Sequence, residues 1–314
     1  MKNGYYLLRL AKLLRTCRNT TGAAMAFAAQ EASFINDIQY NCTISDARDH
    51  GIYSMCTMVL KLRNLYKWEY GLEPWQEAEP GDLLDWIDGK EQHWNNISGE
   101  EYRMIDVKGR KYAPNEPDSI NLQLAKEKLI YGAGYGRSMK AVFFLAEHME
   151  SRQVAGCTVK ILGRAMAKEM ASPVAMVQDG VIYIHRDSLR FFMWDQIQEL
   201  RSSCRSAFVY TLRLYDLLAD GELDQNKFRD QLDDMVDEQM NLFVYHEVGE
   251  LKETTLDSAI SQKIITQFPS TIIELVSRSI KDILADTHPD GLLAYAIREK
   301  KETSLSLYVG LLDG

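Results

Sequence analysis

The sequence predicts a mainly α-helical protein of the α+β kind, a helical bundle carrying one small antiparallel β element. Three observations lead there. Apolar residues recur at helical spacing from residue 1 to about 70, and again from Asp187 nearly to the end. One region alone reads as β: Cys157–Leu162 as a strand, then Val174–Val177 and Val181–His185 as a hairpin turned at Gln178-Asp179-Gly180. At 314 residues and 46% hydrophobic content the chain can bury a sizeable core. We expect one extended domain, 1–314, sub-divided into N-terminal helices to 70, an irregular connection over 71–120 and a C-terminal helical region over 121–314, with the hairpin near 173–186.

In chain order, the opening Met1–Lys12 has its apolar run interrupted by Arg9, Lys12 and Arg15, so it reads as a retained amphipathic helix rather than a signal peptide. Thr21–Tyr40 carries Phe27, Phe34, Ile35 and Ile38 on one face. Ser45-Asp46 offers an N-cap for a helix toward Trp68, with Ile52, Met55, Val59, Leu62 and Tyr66 along one side. Pro74, Pro80, Pro114 and Pro117 then punctuate a long connection with one or two short helices, suited to a lid or wrap over the helices. Beyond the hairpin, helices are broken at Gly221, Pro269 and Thr287–Gly291.

Charge and cysteines bound the partners and the compartment. With 45 acidic against 36 basic side chains the net charge is −9, which works against nucleic acid or an anionic membrane as the main partner. No uninterrupted apolar stretch approaches the roughly 18 residues that span a bilayer. Cys17, Cys42, Cys56, Cys157 and Cys204 are widely spaced with no CxxC pair, as expected of reduced thiols. A soluble, cytoplasmic protein is expected, acting on a small molecule the sequence does not identify, or working as a homo-oligomer or with a protein partner.

The strongest chemical signal is Tyr245-His246-Glu247-Val248-Gly249-Glu250. At 100° per residue, Phe228, Leu232, Val236 and Phe243 form one stripe, with Glu250 near its centre and His246 about 40° to one side. Burying a carboxylate and an imidazole without partners costs several kcal/mol, so they need hydrogen bonds, a metal or a cavity. Glu31 repeats the anomaly among Phe27, Phe34, Ile35 and Ile38, and Asp46 and His50 share a helix face; Glu147 and His148 follow Phe143 and Phe144 on what reads as another helix. Glu31, His50, His246 and Glu250 thus make a candidate ligand set for a divalent metal, iron or manganese fitting better than zinc, with Glu247 as general base or as an acceptor behind the ligands. The leading expectation is a metal-binding protein or metal-dependent enzyme. The alternative from another class is a helical regulatory or interaction protein whose polar residues form a buried hydrogen-bond network.

Two further segments carry weaker signals. Tyr131-Gly132-Ala133-Gly134-Tyr135-Gly136-Arg137-Ser138 precedes an expected helix and could hold a nucleotide or phosphate with Arg137, Ser138 and Lys140, although it lacks the Rossmann and Walker spacings. Glu274, Arg278 and Asp282 lie opposite Ile272, Val276, Ile280 and Ile283, so the four aliphatics are expected buried and the charges solvated. Were that helix covered on both sides, Arg278 would partner a buried carboxylate.

Three segments together resemble a family of uncharacterised bacterial proteins, mainly of sulfate-reducing and related anaerobes. They are Leu62–Glu69 with Leu72–Trp75, Tyr131–Tyr135 with Phe143–Ala146, and Tyr245–Glu250 with Asp282–Asp286. The resemblance covers most of the chain and implies that the His-Glu-x-Gly-Glu segment is a family hallmark; it implies no activity.

Overall fold

Asp179 (φ 50°) and Gly180 (φ 74°) both take the left-handed backbone that a two-residue hairpin needs, and glycine meets that requirement at no steric cost. The same X-Gly geometry recurs at Lys108-Gly109, Ala155-Gly156 and Asp220-Gly221. The computed structural model describes residues 22–198, 205–255 and 258–312, without the side chains of 22–32, 137, 205 and 258. The helix expected over Met1–Lys12 and the thiols of Cys17 and Cys204 lie outside the described residues.

Those turns build more sheet than expected. Strands β1 (Ile105–Val107) and β2 (Arg110–Tyr112) form one hairpin. A five-stranded sheet follows, made of β3 (Leu129–Tyr135), β4 (Ala141–Val154), β5 (Cys157–Ala167), β6 (Ala175–Gln178) and β7 (Val181–His185) in the order β3-β4-β5-β7-β6. β5 and β7 run parallel, Thr158 opposite Val181 through Leu162 opposite His185, and the other pairs are antiparallel. A third hairpin joins β8 (Leu218–Ala219) to β9 (Glu222–Leu223), where Gly221 suggested only a helix break. The expected helical bundle with one small β element is therefore overturned: this is an α+β fold around a mixed sheet. The expected 173–186 hairpin is present as β6 and β7, at the sheet's edge.

The missed strands have a physical explanation. β4 begins as the continuous apolar run Val142–Ala146, buried on both faces, and periodicity cannot separate such a run from a buried helix. On one face Tyr131, Phe143 and Leu145 pack against Phe34, Ile38 and Cys42 of α1 (Gly22–Asp49) and Ile120 and Leu124 of α4 (Pro117–Leu124). On the other, Phe144 and Ala146 meet Leu162 and Tyr183. In β3, glycine replaces the usual β-branched residue because a Cβ at Gly132 would overlap the Phe144 ring.

Two helix expectations change as well. Ser45-Asp46 is interior to α1, which runs to Asp49; after a short 3₁₀ turn at His50–Ile52 the next helix, α2 (Met55–Tyr70), is capped by Ser54, which accepts from the Thr57 amide at 3.3 Å. The 71–120 connection holds an 18-residue helix, α3 (Pro80–Ile97), besides α4 and the first hairpin. Pro80 and Pro117 occupy the start of a helix, where a missing N–H costs nothing.

The remaining helices are α5 (Arg186–Gln198), α6 (Arg205–Leu214), α7 (Gln225–Lys252), α8 (Ser258–Gln267), α9 (Ile272–Thr287), α10 (Leu292–Arg298) and α11 (Glu302–Leu311). The largest core joins Val159, Ile161, Ile182 and Ile184 of the sheet to Leu189 and Met193 of α5, Phe208 of α6, Phe228, Leu232 and Val236 of α7 and Leu307 of α11. No described helix is long and apolar enough to cross a membrane.

Candidate functional site

Asp224 caps α7 by accepting from the amides of Asn226 and Lys227, both at 3.1 Å, and the Phe228–Leu232–Val236 stripe then fixes the helix on the core. The rotation so set carries the His246–Glu250 segment onto α9. At the crossing Gly249 lies so close that an added Cβ would stand 2.7 Å from the carbonyl carbon of Ala285. Glycine is there because two helix backbones nearly touch.

Around that crossing the polar side chains pair between helices. His246 Nδ1 and Asp286 Oδ1 are 2.7 Å apart, and the Tyr308 hydroxyl on α11 donates to Asp286 Oδ2 at 2.9 Å. Glu250 forms an ion pair with Lys281, and Lys252, the last residue of α7, reaches Asp290 at 2.6 Å just past the end of α9. Burial opposes charge on His246, yet the hydrogen bond and charge of Asp286, with Glu247 and Glu250 behind it, outweigh that and raise its pKa to about 9. Glu247, buried beneath them, is pushed up to about 7, first by burial and then by the Glu250 carboxylate. Burial raises Asp282 too.

The other expected ligands stand elsewhere. His50 stacks on Trp94 (centroids 5.1 Å apart) and borders a cleft of about 290 Å³ with Tyr53, Met55, Met58, Glu91 and Asn95. The Glu31 side chain lies outside the described residues. His148 is on strand β4, bonded to Ser151 at 2.8 Å, and Glu147 pairs with Arg164 at 3.0 Å. Among the described residues no three His, Cys, Asp or Glu side chains are grouped so as to hold a metal ion. His246, Glu247 and Glu250 are brought together; His50 is not brought to them.

The glycine-rich segment forms β3 and a tight turn in which Ser138 (φ 56°) is left-handed. Its amide donates to Glu274 Oε1 at 3.1 Å, so a carboxylate of this chain already occupies that donor. Lys140 points inward. Its ammonium sits 2.9 Å from Ser45 Oγ and 3.2 Å from Asp46 Oδ1, and bonds Glu169 as well, all four residues being buried. The acids are held in turn: Asp46 accepts from the Met170 amide at 2.9 Å and Glu169 from that of Phe143 at 2.8 Å. Burial pushes Glu169 up to about 8 and raises Asp46, while Lys140, between two carboxylates, stays above the ordinary lysine range despite its own burial. One buried ammonium thus stands between two buried carboxyl groups whose protonation burial favours. Sequence reasoning missed it, although Ile38, Cys42 and Asp46 are spaced four apart on one stripe, the same intrusion of an acid that drew attention to Glu250.

A family model described as "Family of unknown function (DUF6866) N-terminal domain" matches residues 33–185, and its C-terminal counterpart matches 190–314. The chain belongs to the DUF6866 family. Searches of curated proteins and of solved structures found no match. The DUF6866 N-terminal region carries the five-stranded sheet and the Lys140 triad; the C-terminal region carries the α7–α9 crossing.

In this DUF6866 chain the crossing should make stability fall as pH rises. His246 gains its partner on folding, so its contribution is complete below its unfolded pKa of 6.5 and is lost as pH rises through about 9. Glu247 is raised from 4.5, so its cost is absent below that pH, grows above it and is complete above about 7. At 1.36 kcal/mol per pKa unit each contributes at most about 3 kcal/mol. Urea midpoints should decline from pH 5 to 9; Glu247→Gln should flatten the lower half of the profile and Asp286→Asn the upper. Parallel profiles for parent and both variants would count against these assignments.

Proposed function

We propose that this protein is an interaction protein whose contact surface is the outward face of α9. One observation carries the reading: α9 is seated with its polar side in. Glu274, Ser277 and Asp286 are buried, while Ile272, Ile273, Leu275, Val276, Ile280 and Ile283 are 46–74% exposed. This reverses the expectation that Ile272, Val276, Ile280 and Ile283 are buried; Glu274, expected solvated, is instead bound by Arg278 at 2.8 Å and by the amides of Ser270 and Ser138. The periodicity was sound, but it marks a stripe without saying which side meets water.

The six side chains present roughly 600 Å² of aliphatic surface, the upper end of the largest patch on a typical monomer. The polar groups at the crossing are satisfied by one another, which supports a positioning role for them: the His246–Asp286–Tyr308 chain and the Glu250–Lys281 pair hold α9 in this rotation.

The test is the Ile272→Asp/Val276→Asp variant, denatured at the lowest workable concentration. Outward side chains should cost within about 0.5 kcal/mol each, whereas burying two acids in a core would cost several. A loss of several kcal/mol would show that this face packs inside and would end the reading.

A further inference from the structure

We infer that the partner of this face is a second copy of the chain, α9 lying antiparallel on its counterpart about a two-fold axis. This rests on the outward-face reading just proposed. Ile273, Val276, Ile280 and Ile283 are spaced 3-4-3, the a/d spacing of packed helices. The spacing is palindromic about residue 278. A two-fold axis there sets Ile273 of each copy against Ile283 of the other and Val276 against Ile280, so the seam is complementary to itself.

Charge and area point the same way. Arg278 is diametrically opposite the seam at 100° per residue, and it is half-buried and paired with the buried Glu274. Lys281, the other cation on α9, is paired with Glu250. With both cations off the seam and ion-paired, the seam offers no basic charge to an anionic membrane or an acidic peptide, and the chain as a whole carries −9. Covering all six aliphatic side chains would bury at most roughly 600 Å² on each copy, about 1,200 Å² in all, which is the lower edge of a standard specific interface.

The experiment is sedimentation velocity over a hundredfold concentration range on the full-length chain and on Val276→Asp/Ile280→Asp, with far-UV circular dichroism on both. Expected are a parent of twice the 36.0 kDa chain mass and a folded variant at the single-chain mass. In a background with Cys17, Cys56, Cys157 and Cys204 replaced by serine, Ile273→Cys/Ile283→Cys should oxidise to a covalent dimer and Ile273→Cys alone should not, since in the antiparallel register the two copies of residue 273 lie about 15 Å apart. Efficient cross-linking of the single variant would overturn the register. A dimer that survives the aspartates would place the interface elsewhere and overturn the proposal. So would a parent that stays single-chain throughout; deletion of residues 1–21 with an apolar dye then tells which occupant replaces the copy. Dye bound only after deletion means that segment covers the face; dye bound by the parent means another protein does. A stable Ile272→Asp/Val276→Asp variant beside a single-chain parent would leave the outward-face reading intact, so the two failures are distinguishable.

Discussion

Lys140→Met should lower stability by about 3–5 kcal/mol at pH 7, the range for removing one partner of a buried charge pair. Methionine nearly preserves the side chain's length, so little cavity is expected and the loss is electrostatic. Without the ammonium, Asp46 and Glu169 are left buried beside each other while still tied to the amides of Met170 and Phe143. Those amides belong to the segment after β5 and to β4, and Asp46 itself to α1, so the strain falls where helix and sheet are joined. The deficit should shrink toward pH 5. Both folded acid pKa values are raised, so their cost is present above the unfolded carboxyl pKa and is relieved as protons bind. Adding Glu169→Gln should recover part of it at pH 7 by removing one ionisable acid. Urea titrations followed by tryptophan fluorescence decide the matter: a loss under about 1 kcal/mol, or one that does not change with pH, would mean that the triad is not the charged assembly described.

The second large effect is expected at Gly249→Ala, and its sign is informative. In an open helix this change stabilises by about 1 kcal/mol through backbone entropy alone. Here the new methyl would overlap the backbone of Ala285, and backbone cannot swing aside as a side chain would. Overpacking costs about 1–3 kcal/mol, and a backbone clash belongs at the upper end, so a net loss of about 2 kcal/mol is expected. Separating α7 from α9 also draws Asp286 away from His246. The imidazole titration, followed by NMR, should therefore move from about 9 back toward 6.5. A more stable variant with an unchanged titration would show that the two helices do not cross at Gly249.

How much of this was legible in the sequence depended on whether a local rule was enough. Asp179-Gly180 announced its hairpin because the turn geometry is set by two residues, and α7 announced its apolar stripe because a long helix repeats itself. The intrusion of His246 and Glu250 into that stripe correctly marked a place where polar groups need partners. Those partners, Asp286, Tyr308 and Lys281, come from helices whose placement no local pattern specifies. Gly249 carried no reading of its own in the sequence although it is the contact point, since the need for a missing side chain arises from the other helix. Asp46 offered a plausible cap and Lys140 a plausible phosphate ligand; only the folded sheet brings positions 46, 140 and 169 to one point. The rotation of α9 failed for a different reason: an apolar stripe was equated with an inward one.

The core that runs from Val159 and Ile184 to Phe228 and Leu307 crosses the boundary between the two family regions. The N-terminal region also holds apolar clusters of its own, around Phe34 and Tyr131, Ile44 and Trp94, and Phe144 and Tyr183, but this largest one is shared. There each region lines the other, so a gene divided at that boundary would give two fragments, each left with the bare greasy half of that shared interior.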